Sequence, residues 1–282
     1  MIADITDRQW LWCAAAFYFA GFLLGTRAFF RGNRPSGMLT YAAIVIGYLF
    51  QFIGLGIRGH ADGGCPLGNT FEMFQFTAWS AISLYFLVGV TFRSSLLGYF
   101  TASLAAVLTA VSLALPAWDS ARPTHIFGNN HWIEFHAALA LFSYGAFALL
   151  ALTSALFLLR FYSLKSKRVD GWFSFLPSIL DLDHIGVRLL IAGVALLGAS
   201  LAVGSVYWLR DTASVSAAKL ITAGIWIAYA AVLGARLRGR LLARRFAWTC
   251  LILFAAALVS LGPVNSSRHP MPAVRISRDP SP

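Results

Sequence analysis

A chain of 282 residues with 59% hydrophobic and only 12% charged residues falls outside the range of ordinary soluble domains. Those carry roughly 25% charged and about 45–50% apolar residues. The formal charge of +11 would suit nucleic acid if it were spread over a polar surface, but this chain has too little polar surface, so the lipid bilayer replaces nucleic acid as the expected partner.

Low-charge runs fall at about 10–30, 39–57, 73–92, 96–115, 136–159, 187–208, 218–234 and 246–262. Each is near the roughly 20 residues that cross the hydrocarbon core as a helix, the form in which one segment satisfies its own backbone there. The expected fold is all-α: a polytopic membrane helical bundle of about eight transmembrane helices. A signal peptide is the rival for the first run, but Met1–Trp10 holds Asp4, Asp7 and Arg8 where a signal wants a basic start. An uncleaved span is the better reading. The transmembrane domain is expected over 1–262, and 263–282, which holds five of the ten prolines, is expected to be a disordered Pro-rich tail.

Arginine and lysine placement orients the helices. The connections after the first, third, fifth and seventh runs hold 13 of the 22 cations: Arg27, Arg31, Arg34; Arg93; Arg160, Lys165, Lys167, Arg168; and Arg236, Arg238, Arg240, Arg244, Arg245. Those connections should lie inside and both termini outside, although the three tail arginines weigh against this. The outer side then carries the loops 58–72, 116–135 and 209–217, and the inner side carries 161–186. Cys13 and Cys250 fall within spans and Cys65 stands alone in a loop. They form no disulfide framework, and without CxxCH the chain is not itself a c-type cytochrome.

Ionisable groups in or beside a span need a partner or a use. Glu72, Gln75 and Trp79 share one helix face at i, i+3 and i+7. They read either as a polar entry face at the outer surface or as a cap with an interfacial Trp. His136 opens the fifth span, with Ala140, Ser143 and Phe147 on its face and His125, His131 and Trp132 upstream. It reads as a haem axial ligand at a helix end or as an interfacial histidine bonded to a loop. His131 and His136 lie too far apart around one helix to grip one metal together. Lys219, Thr222, Trp226 and Tyr229 form a stripe on the seventh span, suiting either a snorkelling lysine with anchors or a cation for a haem propionate beside stacking aromatics. His184, in Asp181-Leu182-Asp183-His184, either ligates a metal on the inner side or pairs with Asp181 or Asp183. Gly21 and Gly25 make a small-residue step suited to helix packing.

Together, four stretches resemble the integral-membrane cytochrome c assembly family, of the CcsA/ResC type with its HemX-like relatives. Gly59-His60 and Cys65-Pro66-Leu67-Gly68-Asn69-Thr70-Phe71-Glu72, with Phe76 and Trp79, resemble its loop and third-span signature. His136 with Ser143-Tyr144 and the basic end at 160–167 resembles its histidine-led span. Leu176-Pro177-Ser178, Leu182-Asp183, Arg188 and Gly204 through Trp208 resemble the next stretch, and Lys219, Trp226 and Tyr229 with Arg244-Arg245 resemble the penultimate span.

The resemblance implies a bacterial inner-membrane (cytoplasmic-membrane) multi-pass protein of cytochrome c biogenesis. It implies non-covalent b-type haem as cofactor, held at the outer face and presented for attachment to apocytochrome c beside a second membrane assembly protein. His136 would match the outer haem ligand. Glu72, Asn69, Trp79, Trp208, Lys219, Trp226 and Tyr229 would surround the same chamber; His184, on the inner side, stays a separate candidate metal ligand. The chain would position haem without supplying a nucleophile. Two departures stand out. The family's long tryptophan-rich loop is reduced to Trp208-Leu209-Arg210-Asp211, and Ala218 precedes Lys219 where relatives can carry a second histidine. The shortened chain resembles the HemX-like branch, and the other classes to separate from haem presentation are a haem or small-molecule transporter or exporter and a non-catalytic membrane regulator of HemX type.

Overall fold

The computed structural model describes residues 6–30, 37–89, 95–120, 131–167, 176–208 and 217–266. Within them lie α1 (Asp7–Phe30), α2 (Gly37–Asp62), α3 (Thr70–Gly89), α4 (Ser95–Ala114), a 3₁₀ turn (Pro116–Asp119), α5 (His131–Lys165), α6 (Ile179–Trp208), α7 (Ala217–Leu237) and α8 (Ala243–Ser266). No strand occurs among the described residues, and each expected run falls on one helix. By length and composition α2, α5, α6 and α7 are long and apolar enough to cross a membrane. The fold is a membrane helical bundle.

The helices exceed the apolar runs at several ends, because capping chemistry sets where a helix starts and stops. Asn69 Oδ1 accepts the Glu72 N–H at 2.9 Å and so starts α3 three residues ahead of the expected run. Ser178 Oγ accepts the Asp181 N–H at 3.1 Å and donates to Asp181 Oδ2 at 2.6 Å. This reciprocal cap starts α6 at Ile179, eight residues before the expected Val187. The expected inner loop 161–186 is therefore helical at both ends. α2 likewise continues to Asp62, where Gly63 takes φ +71° and the Gly64 N–H reaches back to the Gly59 carbonyl at 2.9 Å. A left-handed residue after the last turn closes helices in this way. The expected loop 58–72 shrinks to 63–69, which moves Arg58 from a loop into a helix. α8 runs to Ser266, four residues past the expected end of the transmembrane domain. His125, the segment after Trp208 and the tail from 267 lie outside the described residues.

α1, α2, α3 and α4 pack together, and so do α5, α6, α7 and α8, with the two groups meeting chiefly where α3 packs on α5. α5 is central, because its apolar residues are buried all round, the pattern of a helix with no lipid-facing stripe. The seam is close: a Cβ on Gly145 of α5 would meet the backbone nitrogen of Ala81 on α3 at 2.9 Å. Gly193 of α6 leaves room for the Phe147 ring in the same manner. Small residues at such crossings let backbones approach where no hydrophobic force drives helices together.

Between α1, α2, α3 and α4 runs a buried polar ladder. Tyr18 OH donates to Gln51 Oε1 at 2.9 Å. Gln51 Nε2 donates to Gln75 Oε1 at 2.9 Å, and Gln75 Nε2 donates to Ser112 Oγ at 2.9 Å. Both glutamines are fully buried. Interhelical hydrogen bonds in membranes are worth about 0.6 kcal/mol on average and up to about 1.7. Gln75→Leu removes two of these links, leaving the Gln51 amide only the longer bonds to the residue-75 carbonyl at 3.1 Å and Thr109 Oγ1 at 3.3 Å. A loss of about 1–2 kcal/mol is expected, read as an earlier midpoint in unfolding by rising SDS followed by circular dichroism. An unchanged midpoint would show the ladder to be energetically idle.

Candidate functional site

The end of the bundle where α2, α4, α6 and α8 finish and α1, α3, α5 and α7 begin carries most of the residues singled out from the sequence. There they divide into neighbouring groups. The first centres on Arg58, the most bulky fully buried side chain, at 1% exposure. Its Nε donates to Glu72 Oε1 at 2.7 Å, its Nη1 to Asp7 Oδ2 at 2.7 Å, and its Nη2 to Asp119 Oδ1. Arg8 pairs with Asp119 at 2.6 Å. The Arg58 guanidinium also lies 4.5 Å over the Phe71 ring, a cation–π contact.

Glu72 completes its bonding with the Gly68 N–H at 2.6 Å and the Asn69 amide at 3.3 Å. Glu72 and Asn69 thus hold the 63–69 loop onto a charge cluster spanning α1, α2, α3 and the 3₁₀ turn. The shared face of Glu72, Gln75 and Trp79 is real, and its partners lie largely on α2: Arg58, Gln51, and Tyr48 with Phe52, respectively.

Trp79 forms the second group. It stacks on Tyr48 with centroids 5.5 Å apart and meets Phe142 of α5 edge-on at 5.7 Å, with Phe76 at 5.6 Å. Its Nε1 is buried and has no hydrogen-bond partner among the described residues. Leu67, Ala137, Phe142 and Ile225 share this apolar cluster, which places the first turns of α5 beside Trp79 and the 63–69 loop.

The third group holds His136. Its Nδ1 lies 2.6 Å from the Ser200 carbonyl oxygen of α6. A carbonyl only accepts, so Nδ1 carries a proton, which in the neutral imidazole leaves the lone pair on Nε2. Ser200 Oγ donates back to the His136 carbonyl at 2.8 Å. Gly204, one turn further, clears space for the ring: a Cβ there would meet His136 Cε1 at 2.8 Å. Trp208 stands one more turn along α6.

Trp226 and Tyr229 form the fourth group and both anchor α7. Trp226 Nε1 donates to the Val194 carbonyl at 3.0 Å across bare Gly198. Tyr229 stacks on Phe147 at 3.8 Å, and its hydroxyl is buried with no partner among the described residues. Lys219 is half-buried two turns before Trp226. His184 sits apart, exposed near the start of α6 at the opposite end of the bundle. Among the described residues no three His, Cys, Asp or Glu side chains assemble as a metal site.

The structure adds Arg58, Asp7, Asp119, Gln51 and Ser200 to the residues singled out. The acidic and basic residues were legible as polar groups near the ends of spans, but a loop reading of 58–72 hid their convergence. Cys65, in the 63–69 loop, is chemically quiet. Burial, helped by the nearby Glu134 and Glu72 carboxylates, pushes its thiol up to about 12. A raised thiol pKa keeps the neutral form, so the thiolate needed for attack is scarce at neutral pH. In a Cys13→Ser background a water-soluble maleimide at pH 8 should leave Cys65 of the native protein unmodified and react once SDS unfolds the chain. There the thiol returns to about 8.5. Rapid native labelling at pH 8 would contradict the half-buried placement and raised thiol pKa.

The cytochrome c assembly protein family model matches residues 67–268, about seven-tenths of the chain and all of α3 to α8. The chain belongs to the cytochrome c assembly protein family. It is 26% identical over 204 residues to "Protein HemX" of Brevibacillus brevis, covering 72% of this chain and 75% of that protein. With the Bacillus subtilis "Protein HemX" it shares 25% over 191 residues, 68% and 67% of the two chains. It is 27% identical over 196 residues to the "Cytochrome c biogenesis protein CcsA" of Chlamydomonas reinhardtii, covering 64% of this chain but 52% of that one. The chain spans about half the length of that CcsA protein and most of the HemX proteins. The family match includes Asn69, Glu72, Trp79, His136, Trp208, Lys219, Trp226 and Tyr229, and leaves out Arg58 and Asp7.

Proposed function

We propose that this chain is a haem-handling protein of cytochrome c biogenesis in the bacterial inner membrane. It binds haem non-covalently at the His136 end of the bundle and presents it to apocytochrome c. That end faces outward in this reading, as the arginine-rich connections at the other end suggest. The observation carrying the reading is the Ser200 carbonyl on His136 Nδ1. Haem-ligating and metal-ligating histidines are held by such a bond, which fixes the tautomer and raises the basicity of the ligating nitrogen.

The residues present fit one axial ligand and a largely aromatic surround. His136 offers Nε2, and the unpaired Trp79 Nε1 and Tyr229 OH are buried polar atoms for which a bound group would supply a use. Bound haem supplies the vinyl groups that join cysteine thiols of the apocytochrome. This chain's residues would hold and orient it: Ser200 and Gly204 set the imidazole angle, and Lys219 would offer a cation to a propionate carboxylate. The quiet Cys65 thiol takes no part. A second membrane assembly protein completes the attachment machinery. Reduced and oxidised optical spectra of the detergent-solubilised protein test the reading. A haem band of five-coordinate character is expected, and a folded protein that takes up no haem would favour the non-catalytic HemX-type alternative.

A further inference from the structure

At the other end of the bundle, an open cavity of about 530 Å³ lies between the start of α6 and the end of α7. It is lined by Asp183, His184, Val187, Arg188, Arg236 and Leu237. Nothing in the His136 end draws on it. We propose that this cavity is a headgroup site for an anionic, hydroxyl-bearing phospholipid of the phosphatidylglycerol class.

The charges favour a phosphate. Two arginines outweigh the single Asp183 in the lining. The connection that follows adds exposed Arg238, Arg240, Arg244 and Arg245. The sequence holds no acidic residue between Asp211 and Asp279, so α7 and α8 bring no carboxylate to this end. Basic pockets between transmembrane helices at the basic end of a bundle suit anionic headgroups.

Arg236 is held in place before any ligand arrives. Its Nη2 pairs with Asp183 Oδ2, its Nη1 donates to the Leu241 carbonyl at 2.8 Å, and its guanidinium lies 5.3 Å over the Phe246 ring. The Leu241 carbonyl is presented by the tight α7–α8 turn, where Gly239 takes φ +67° and the Arg240 N–H returns to the Ala235 carbonyl at 3.0 Å. A guanidinium fixed in this way loses little freedom on meeting an oxyanion.

Asp183 Oδ1 gives the second indication. It is buried without a hydrogen-bond partner among the described residues, an arrangement that calls for a donor. A glycerol hydroxyl beside the phosphate supplies one, whereas the trimethylammonium of phosphatidylcholine carries no N–H or O–H. The surroundings then fit acyl chains. Leu237 lines the cavity and is exposed, Leu180 lies exposed one turn before Asp183 and His184 on α6, and Ile191 lies exposed one turn beyond Arg188.

The test uses the full-length protein in detergent micelles doped with equal phosphatidylglycerol and phosphatidylcholine, with retained lipid read by native mass spectrometry. Phosphatidylglycerol should be retained preferentially, and Arg188→Gln should lower its retention about fivefold, the change for removing one basic group at a charged lipid surface. Arg188→Lys keeps the charge and should retain it near the parent level. Helix content and melting of both variants are followed by circular dichroism, so that loss of fold is not read as loss of binding. If Arg188→Gln does not fold, His184→Ala on the parent cavity takes its place, with the same direction expected. Equal retention of the two lipids, or no change in a folded Arg188→Gln protein, overturns the proposal. So does displacement of phosphatidylglycerol by millimolar inorganic phosphate, which would make this a site for soluble anions. A haem band lost on Arg188→Gln while lipid retention stays unchanged would assign the cavity to haem carboxylates instead.

Discussion

Arg58→Leu is expected to lower the stability of the bundle by about 3–5 kcal/mol, the range for removing one partner of a buried ion pair. The magnitude comes from what remains. Glu72 is 1% exposed and keeps the Gly68 and Asn69 donors, Asp7 loses its ion pair with Arg58, and Asp119 keeps Arg8 and the Asn69 amide. Uncompensated carboxylates in such surroundings must take up protons or draw in water. Arg58→Lys should recover only part of the loss. An ammonium is a point charge on a flexible stem, while the guanidinium fork reaches Glu72, Asp7 and Asp119 in three directions at once. The measurement is the thermal midpoint in detergent, expected to fall by about 10 °C for leucine. A fall of under about 2 °C would mean that the cluster is solvated and contributes little.

His136→Ala is expected to lower haem affinity by at least about a hundredfold, beyond the ten- to hundredfold seen when only an outer-shell partner of a metal ligand is lost. The fold should survive, because His136 is half-buried at the first turns of α5 and α5 remains anchored by buried residues from Ala137 to Phe157. A purified His136→Ala protein with an undiminished haem spectrum would remove His136 as the ligand. Gly204→Val separates ligation from mere packing. Its side chain collides with His136 Cε1 and turns the ring away from Ser200. A shifted haem band with the helix content intact is expected if the imidazole angle matters. An identical spectrum would place haem elsewhere.

Much of the architecture was open to reading, because bilayer thickness imposes one segment length on the whole chain. Each of the eight apolar runs falls on one of the eight α-helices among the described residues, four of which are long and apolar enough to cross a membrane. The errors fall where polar chemistry extends a helix past its apolar stretch. Ser178 and Asp181 start α6 among charged residues, and Gly63 stops α2 only after Arg58, Gly59 and His60 have joined it. Hydropathy is blind to both devices, although the Ser-x-x-Asp spacing was available.

For the site, helical spacing correctly put Glu72, Gln75 and Trp79 on one face. It could not say what that face meets, and α2 supplies the answer through Arg58, Gln51 and Tyr48. His136 was legible as a histidine at a helix start. Its orientation depends on Ser200, 64 positions away, and no local pattern encodes a contact of that range.

The location of the Arg58 partners in the chain has a consequence for how the protein is made. Asp7, Glu72 and Asp119 all precede residue 120, so the arginine meets two carboxylates as soon as α3 has emerged and the third directly after α4. Neither α5 nor any later helix contributes to that cluster through the ion pairs named here. The first four helices can therefore neutralise their most expensive buried charge while the ribosome is still elongating. They can then present the Ala81 side of α3 as a finished surface on which α5, and with it His136, is laid down.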